Sequence, residues 1–216
     1  MSQEHVLYGA NSSGSGAVEA ALLRCGLPYR LVEGATWEPG PGYDELKRVN
    51  PLAQVPTLVL PEGTVLSESA AILIHLGLAH PASGLLPSEP SARAQAIRGL
   101  VFIVANCYAL IGVIDYPERY ADVPDDAARK RTIAVARARL HVLWEHFADL
   151  APPPATPFHA GTEPGALDIL ASVASRWSGA RAHLRATRPA CHALVERVDA
   201  WPPFVPLWAR HGWPVT

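Results

Sequence analysis

The hydrophobic and polar positions in the first eighty residues alternate between short extended runs and helical runs. Extended segments from His5 to Ala10 and from Pro28 to Val32 enclose a helical segment from Gly14 to Cys25. Gly26 follows this helical segment directly, in the position where a glycine commonly ends a helix. The pattern predicts a chain that begins with a βαβ unit.

The following residues predict a short helix, a hairpin and a further helix. The short helix covers about Asp44 to Arg48, and the strands of the hairpin cover Thr57 to Leu60 and Thr64 to Leu66. The further helix begins near Ser67, just before a run of apolar residues. The resulting order, β-α-β-α-β-β-α, is typical of a thioredoxin-like domain.

The second part of the chain shows helical spacing throughout. After a linker at His80 to Pro87, long helices are predicted from Ser91 to Tyr116 and from Pro124 to Leu150. Shorter helices are predicted at Ala166 to Ser178, Pro189 to Ala200 and Phe204 to His211. We therefore expect an α/β plus all-α fold, with an N-terminal thioredoxin-like domain (residues 1–80) followed by an all-helical C-terminal domain (residues 88–216).

Composition narrows the class of protein. The 216 residues are 49% hydrophobic and carry a net charge of −2. There is no run of about 18 consecutive apolar residues and no basic-then-apolar start, so we expect a cytoplasmic protein that neither enters a membrane nor is exported. The three cysteines, Cys25, Cys107 and Cys191, include no C-x-x-C pair, which argues against a disulfide framework and a structural zinc site.

Charge is distributed unevenly along the chain. Residues 1–80 contain four Lys or Arg against eight Asp or Glu, whereas residues 81–216 contain fourteen against twelve. Neither part carries a basic stripe, so nucleic-acid binding has little support. An anionic ligand of the acidic first part must be held by short-range hydrogen bonds and helix ends.

Two neighbouring segments suggest a ligand cradle. In residues 50–56, N-P-L-A-Q-V-P, Pro56 has no N–H and is expected in a turn before a strand. Ser67-Glu68-Ser69 precedes an apolar helix and is expected to form its N-cap and first turn, where free N–H groups and the helix dipole favour a carboxylate. For the tripeptide alone, the alternative is a capped helix without a ligand.

The turn after the first strand is a candidate reactive centre. Residues 11–16, N-S-S-G-S-G, lead directly into the first helix. A hydroxyl and one or more main-chain N–H groups can therefore converge on one ligand atom. The alternative is a flexible Gly/Ser turn whose hydroxyl groups cap the helix.

These segments, in this order, resemble the cytosolic glutathione transferase superfamily, in particular its zeta/beta-like bacterial-type members, and the resemblance spans essentially the whole chain. Residues 161–169, G-T-E-P-G-A-L-D-I, are similar to the family's buried turn into a core helix. Gly165 stands where the family usually has a capping Ser or Thr, so one of two reciprocal bonds is lost. We expect Asp168 to have a structural role.

The resemblance implies a glutathione site. Ser12 would donate a hydrogen bond to the glutathione sulfur, with Ser13 as the alternative, and Val55 would pair with the cysteinyl main chain if its bond to Pro56 is cis. Further expected glutathione contacts are Ser15, Trp37, Gln54, Glu68 and Ser69. For Lys47 and Arg48, contact with the glycine carboxylate and a solvated helix face are equally plausible.

The resemblance also places the electrophile pocket on the first long helix, at Asn106, Tyr108, Ile111 and Tyr116. Aromatic residues at this spacing also occur in protein cores, and Trp177 and Trp208 share the ambiguity. Gly14 stands where zeta and beta enzymes keep a cysteine, which weakens a maleylacetoacetate isomerase interpretation and argues against thiol exchange through a protein cysteine.

The resemblance implies a homodimeric transferase for detoxification. It would use glutathione as a co-substrate, without a metal, and add the thiolate to a small apolar electrophile. The alternatives are a glutathione-dependent isomerase and a non-catalytic binding or scaffold protein with the same fold.

Overall fold

The computed structural model describes residues 4–38 and 40–213. Its strands are β1 (His5–Gly9), β2 (Tyr29–Glu33), β3 (Thr57–Val59) and β4 (Val65–Ser67). Its helices are α1 (Ser15–Cys25), α2 (Pro41–Val49), α3 (Ser69–Ala79), α4 (Pro90–Phe102), α5 (Ala109–Asp115), α6 (Asp126–Leu150), α7 (Ala166–Ala174), α8 (Ala180–Thr187), α9 (Pro189–Asp199) and α10 (Val205–Arg210). The outermost residues of the two predicted domains, 1–3 and 214–216, lie outside the described residues.

The four strands form one sheet in the order β2-β1-β3-β4. β1 runs parallel to β2 and antiparallel to β3, and β3 and β4 form the predicted hairpin. Side chains alternate across the sheet as the period of a strand requires. Leu7 therefore joins the core under α1 and α3, while its neighbour Tyr8 packs with Val32 and Leu46 under α2. The thioredoxin-like domain is confirmed.

The first long helix of the helical region is formed by α4 and α5. α4 and α5 are joined by a π-helical segment, Ile103–Tyr108, into one continuous helix from Pro90 to Asp115. By length and apolarity this helix would be able to cross a membrane, but in this fold it packs against α6 and α7. Every residue of α7 is buried. The core on which these helices pack also contains residues of α1 and α3.

Two sequence predictions about helix boundaries were wrong. The helix predicted to continue to Ser178 ends at Ala174, and the separate helix α8 was missed. Ser178 and Gly179 lie between α7 and α8 and have φ angles of 58° and 79°, so no helix can continue through them. α8 carries few apolar residues and buries only Ala180 and Leu184, so its hydrophobic pattern was weak.

The helix predicted near Ser67 begins two residues later. Ser67 pairs with Thr57 as the last residue of β4, and α3 starts at Ser69. Glu68 lies between them with φ 66°, a conformation unusual for a residue with a side chain. A sharp corner therefore separates the strand from the helix.

Asp168 anchors the turn before α7, as predicted. It is 1% exposed and accepts a hydrogen bond of 2.9 Å from the Gly165 N–H. It also accepts bonds from the main chain of His159 at 3.1 Å and from its ring at 2.6 Å. Burial lowers the pKa of His159, but its hydrogen bond to Asp168 and the charge of that carboxylate outweigh burial, so the pKa is raised overall.

Gly165 is needed because neighbouring atoms occupy the space that a side chain would fill. A Cβ at this position would lie 2.5 Å from the Ala160 Cβ and 3.0 Å from the Leu85 carbonyl oxygen. Its φ angle of −91° is accessible to any residue. Close packing therefore excludes the usual Ser or Thr. Of the two reciprocal hydrogen bonds, only the one from the Gly165 N–H to the Asp168 carboxylate remains.

We expect Gly165→Ala to lower the free energy of unfolding by about 2 kcal/mol, because overpacking a buried site typically costs 1–3 kcal/mol. Thermal or urea unfolding measures this loss. Adding Ala160→Gly should recover part of it, since Ala160 supplies the closest atom. The matched control is Gly40→Ala, where a Cβ would meet no atom within 4 Å. Equal losses in Gly165→Ala and Gly40→Ala would contradict the packing argument.

Candidate functional site

A cleft of about 410 Å³ opens between the sheet domain and the long helix. Four segments of the first domain form one wall: the turn after β1, the loop after β2, the loop before β3 and the corner before α3. The opposite wall comes from the π-helical segment, α5, the residues that follow α5, and Trp177. Segments far apart in the sequence thus share one cavity.

The loop before β3 brings Gln54, Val55 and Pro56 to the cleft. The peptide bond between Val55 and Pro56 is cis, as the sequence interpretation required. The buried Asn50 holds this loop from behind: its Nδ2 donates to the Thr57 Oγ1 at 2.9 Å, and its Oδ1 accepts from the Leu52 N–H at 3.1 Å.

Thr57 completes the support of the loop. Its hydroxyl donates to the Gln54 carbonyl at 2.8 Å, so Asn50 and Thr57 together fix the main chain next to Val55. In the sequence, Asn50 is only one residue of the N-P-L-A-Q-V-P segment, and this role was not predicted. The available signal was an Asn placed directly before a proline turn.

Glu68 and Ser69 line the same cleft. Glu68 stands at the N-cap of α3, but its carboxylate makes no capping bond to the helix. Ser69 is the first residue of the helix and is 8% exposed. The cleft therefore has a carboxylate beside the positive end of a helix, a combination suited to a ligand that carries both an ammonium group and a carboxylate.

The turn after β1, called the first turn below, carries three serines, and their hydroxyl groups form hydrogen bonds to other groups of the protein. Ser12 Oγ donates to the His211 carbonyl at 2.6 Å, and Ser13 Oγ donates to the Ala10 carbonyl at 2.7 Å. Ser15 Oγ lies 3.1 Å from the same Ala10 oxygen. Ser12 and Ser13 line the cleft, whereas Ser15 is fully buried and does not.

The C-terminal segment holds the first turn in place. The Ser12 N–H donates to His211 Nδ1 at 3.1 Å, and His211 Nε2 lies 2.7 Å from the Glu19 carboxylate. Because Nδ1 accepts a bond from a main-chain N–H, the ring proton is assigned to Nε2, which donates to Glu19. Glu19 also accepts bonds from Arg210 at 2.5 Å and from Tyr29 at 2.9 Å.

The opposite wall of the cleft contains most of the predicted pocket residues. Tyr108, Ile111 and Tyr116 line it together with Trp177. Asn106 does not line the cleft, and its side chain donates instead to the Phe102 carbonyl at 3.1 Å. Trp208 is fully buried in the core, so of the two ambiguous tryptophans only Trp177 reaches the cleft.

Charged groups stand at the far end of this wall. Arg119 lies over the Tyr116 ring, 4.0 Å from its centroid, and Asp115 lines the cleft beside them. Burial raises the pKa of Asp115 above its ordinary value. This wall therefore has aromatic surface along most of its length and charged groups at one end.

The Tyr108 hydroxyl is shielded from solvent and has no hydrogen-bond partner among the described residues. Burial raises its pKa well above the ordinary value for tyrosine, so the group is a neutral donor at physiological pH. The Tyr108 ring packs against Trp177, with 5.9 Å between their centroids. The oxygen points toward Gly14, where a Cβ would lie 2.9 Å away.

The remaining predicted residues divide between the cleft and the surface. Trp37 lines the cleft and is 56% exposed. Lys47 and Arg48 do not line it, and Lys47 pairs with Asp44 at 2.8 Å.

The three cysteines do not line the cleft. Burial raises the pKa of Cys107 to about 12 and that of Cys191 to about 11, so neither thiol is reactive. Burial also raises the pKa of Cys25. Within residues 4–38 and 40–213, no group of three His, Cys, Asp or Glu side chains is arranged to hold a metal ion.

Comparison with known proteins relates the chain to one family. Residues 12–78 match the family model described as glutathione S-transferase, N-terminal domain. The chain is 30% identical over 174 residues to a probable glutathione S-transferase BZ2 of Zea mays, an alignment that covers 76% of this chain and 70% of that protein.

Two further relatives align over shorter lengths. The uncharacterized GST-like protein YncG of Escherichia coli is 34% identical over 139 residues, which cover 63% of this chain and 66% of that protein. A probable maleylacetoacetate isomerase of Caenorhabditis elegans is 36% identical over 107 residues, 48% of each chain. The chain therefore spans slightly less than two thirds of the first relative and about half of the second.

Solved structures match the fold along its whole length. A glutathione transferase from Methylobacterium radiotolerans, in complex with glutathione sulfonate, has a TM-score of 0.74 at 26% identity and covers 99% of this chain and 97% of its own. A glutathione transferase homolog from Sulfitobacter with bound glutathione has a TM-score of 0.79 at 22% identity, covering 96% and 98%. With the family model and the maize relative, these matches establish that the chain belongs to the cytosolic glutathione transferase superfamily.

Proposed function

We propose that this protein binds glutathione in the cleft and adds its thiolate to a small apolar electrophile. The observation that carries the proposal is that the loop at Gln54–Pro56, the corner at Glu68 and Ser69 and the first turn, separated in sequence, share a single cleft with an aromatic wall. Two structurally similar transferases contain glutathione or glutathione sulfonate. These similarities support glutathione as the co-substrate.

Each part of glutathione has a matching group in the cleft. The Glu68 carboxylate is suited to the γ-glutamyl ammonium, and the start of α3 at Ser69 is suited to the adjacent carboxylate. The main chain of Val55 would pair with the cysteinyl unit, which directs the sulfur toward the turn of Ser12 and Ser13. Trp37 then stands nearest the glycine end, while Ser15 supports the turn from within the core.

The composition of the helical wall supports an apolar electrophile. Val104, Ile111 and Trp177 offer apolar surface facing the first turn. A free thiol with a pKa near 8.5 is only a few per cent ionised at neutral pH, and lowering its pKa also lowers its intrinsic nucleophilicity. Orientation of the thiolate against a bound electrophile therefore supplies most of the acceleration.

A glutathione-dependent isomerase is the second proposed activity. A relative named as a probable maleylacetoacetate isomerase supports it. In such a reaction the thiolate adds to the substrate and leaves again, so the same cleft would serve. Gly14, at the position of the family's cysteine, favours conjugation as the first proposal. Both activities are compatible with a cytoplasmic enzyme that removes electrophiles.

We also propose that the protein is a homodimer. The long helix leaves Val101 48% exposed, and Leu52, on the loop before β3, is 68% exposed. Burying apolar side chains of this size stabilises an interface by roughly 25 cal/mol per Å². A second copy of the chain would cover these side chains.

Glutathione binding tests the site directly. In calorimetric titration we expect saturable binding of reduced glutathione, and the double variant Glu68→Gln/Ser69→Ala should raise the Kd at least about tenfold. The reason is that hydrogen bonds to charged groups contribute about 1.5–3 kcal/mol each. Glu62→Ala, which removes an exposed carboxylate from the β3–β4 turn, is the matched control and should bind as the unmodified protein does. Absence of binding at millimolar glutathione would contradict the proposed function.

Product analysis separates conjugation from isomerisation. With a nitro-activated aryl chloride we expect one glutathione consumed and one chloride released per thioether formed. With a cis-enone, an isomerase would form the trans product while the glutathione concentration stays constant. Mass spectrometry of the product and thiol titration of the mixture measure both quantities. Glutathione binding without turnover of either electrophile would favour a non-catalytic binding protein.

The oligomeric state tests the homodimer. Light scattering of the purified protein should give twice the 23.1 kDa mass of the chain, and Val101→Glu should shift the mass toward a single chain by burying an unpaired charge. Ala190→Glu adds the same charge at an exposed position of α9 and should leave the mass unchanged. A single-chain mass for the unmodified protein would overturn the homodimer.

A further inference from the structure

We propose that Arg176 is a positioning residue for the glutathione site: through Trp213 and His211 it fixes the first turn against the cleft. The inference rests on the proposed binding of glutathione in this cleft and adds a residue that does not line it. Arg176 follows α7 in the helical part of the chain, far in sequence from the turn that it would hold.

Arg176 is a buried cation whose ion pair does not account for its position. Its Nη2 donates to Asp199 at 2.6 Å, but Asp199 also accepts bonds from Arg181 and from the Ser172 hydroxyl, so two guanidinium groups share one carboxylate. The Nε of Arg176 is buried without a hydrogen-bond partner among the described residues. Burial, with the charge of Arg181, lowers the pKa of Arg176 to about 10 although Asp199 opposes this. A further contact must therefore stabilise this charge.

Two indole rings supply that contact. The central carbon of the Arg176 guanidinium lies 4.5 Å from the centroid of the Trp213 ring and 5.4 Å from that of Trp208. All three side chains are largely buried, and a cation over an aromatic face is bound most strongly where water is excluded. Trp208 belongs to α10 and to the core, whereas Trp213 follows the end of α10. Arg176 therefore holds the chain that follows this helix.

Trp213 contacts both His211 and the start of α1. Its ring stacks on the imidazole of His211, with 4.6 Å between centroids and 20° between planes. A Cβ at Gly16 would lie 2.9 Å from the Trp213 ring and 3.3 Å from the His211 ring, so the missing side chain lets both rings approach the helix. The face of the imidazole is thus fixed by Trp213, while its Nε2 is fixed by Glu19 at 2.7 Å.

The first turn depends on the position of His211. Ser12 donates its main-chain N–H to His211 Nδ1 at 3.1 Å and its hydroxyl to the His211 carbonyl at 2.6 Å. Its φ angle of 57° is one that a serine keeps only where its surroundings hold it. When Arg176 is removed and Trp213 shifts, the imidazole loses its support and Ser12 relaxes. Because Ser12 lines the cleft, the shape of the glutathione site changes with it.

This arrangement is expected to act on turnover more than on affinity. The proposed contacts for the γ-glutamyl and cysteinyl parts of glutathione are Glu68, Ser69 and Val55, which lie in segments other than the first turn. The first turn would face the sulfur, and a small misplacement of the groups around a reacting atom lowers the rate strongly. Arg176 therefore affects the rate of thioether formation without contacting glutathione.

Amide hydrogen exchange at Ser12, followed by nuclear magnetic resonance, tests the contact directly. We expect Arg176→Met to speed this exchange roughly tenfold, the size of a desolvated cation–π contact, because the Ser12 N–H loses its fixed acceptor. Arg181→Met is the matched control, since it also removes one arginine from Asp199 but leaves the cation over the Trp213 ring in place. In this control the exchange at Ser12 should stay within about twofold of that in the unmodified protein.

Turnover provides the functional measurement. With a nitro-activated aryl chloride, Arg176→Met should lower kcat roughly tenfold, while the glutathione Kd from calorimetric titration changes less than about threefold. Arg176→Lys keeps a cation beside the ring and should lose less. Trp213→Leu should lower kcat in the same way, and adding Arg176→Met to it should cause little further loss. The melting temperatures of Arg176→Met and Arg181→Met should fall by similar amounts, because Asp199 keeps one arginine in each.

The outcomes separate this inference from the proposed function. If the unmodified protein does not bind glutathione, the proposed function and the role of Arg176 in it are both wrong. If glutathione binds and Arg176→Met and Arg181→Met change the exchange at Ser12 equally, Arg176 only stabilises the fold and this inference alone is overturned. Faster exchange at Ser12 with an unchanged kcat would overturn it as well.

Two further cases are covered by the same variants. If glutathione binds but the unmodified protein does not turn over the electrophile, the exchange comparison between Arg176→Met and Arg181→Met decides. If Arg176→Met does not fold, Arg176→Lys and Trp213→Leu carry the comparison, and unchanged exchange at Ser12 in both would contradict the inference.

Discussion

The cleft depends on a buried carboxylate in the first helix. Glu19 is 1% exposed and would be costly to bury alone. It is stabilised by His211, which is equally buried, and by Arg210 and Tyr29. Leaving a buried polar group without its partner costs about 1–3 kcal/mol, and more when that group is charged, so loss of His211 or Arg210 would leave Glu19 at a considerable cost. These bonds therefore hold Arg210 and His211 against α1.

This contact sets the geometry of both walls of the cleft. His211 binds the main chain and side chain of Ser12, which has the unusual φ angle of 57°. Trp213 stacks on His211 with 4.6 Å between centroids and contacts Trp177 at 6.2 Å. Trp177 in turn supports Tyr108, so one network holds both the first turn and the aromatic wall.

Local patterns were sufficient to predict the sheet domain and the long helices. These patterns act over only a few residues: Gly26 predicted the end of α1, Pro56 the turn before β3, and the apolar run after Ser69 the helix α3. The contact between Glu19 and His211 joins residues 192 positions apart, and no local signal announces it. For the same reason the sequence showed which hydroxyls lie in the first turn but not that their protons are already donated.

Gly14 and Gly165 both depart from the family pattern, and one physical principle accounts for both. At Gly165 the Ala160 methyl group occupies the space of a side chain, while at Gly14 the Tyr108 hydroxyl approaches it. Protein interiors are close-packed, so where a glycine lacks a side chain, an atom of a neighbouring residue occupies that space. At Gly165 the incoming atom is apolar and the consequence is limited to packing. At Gly14 it is a polar oxygen, so the same exchange of volume places a hydrogen-bond donor beside the first turn.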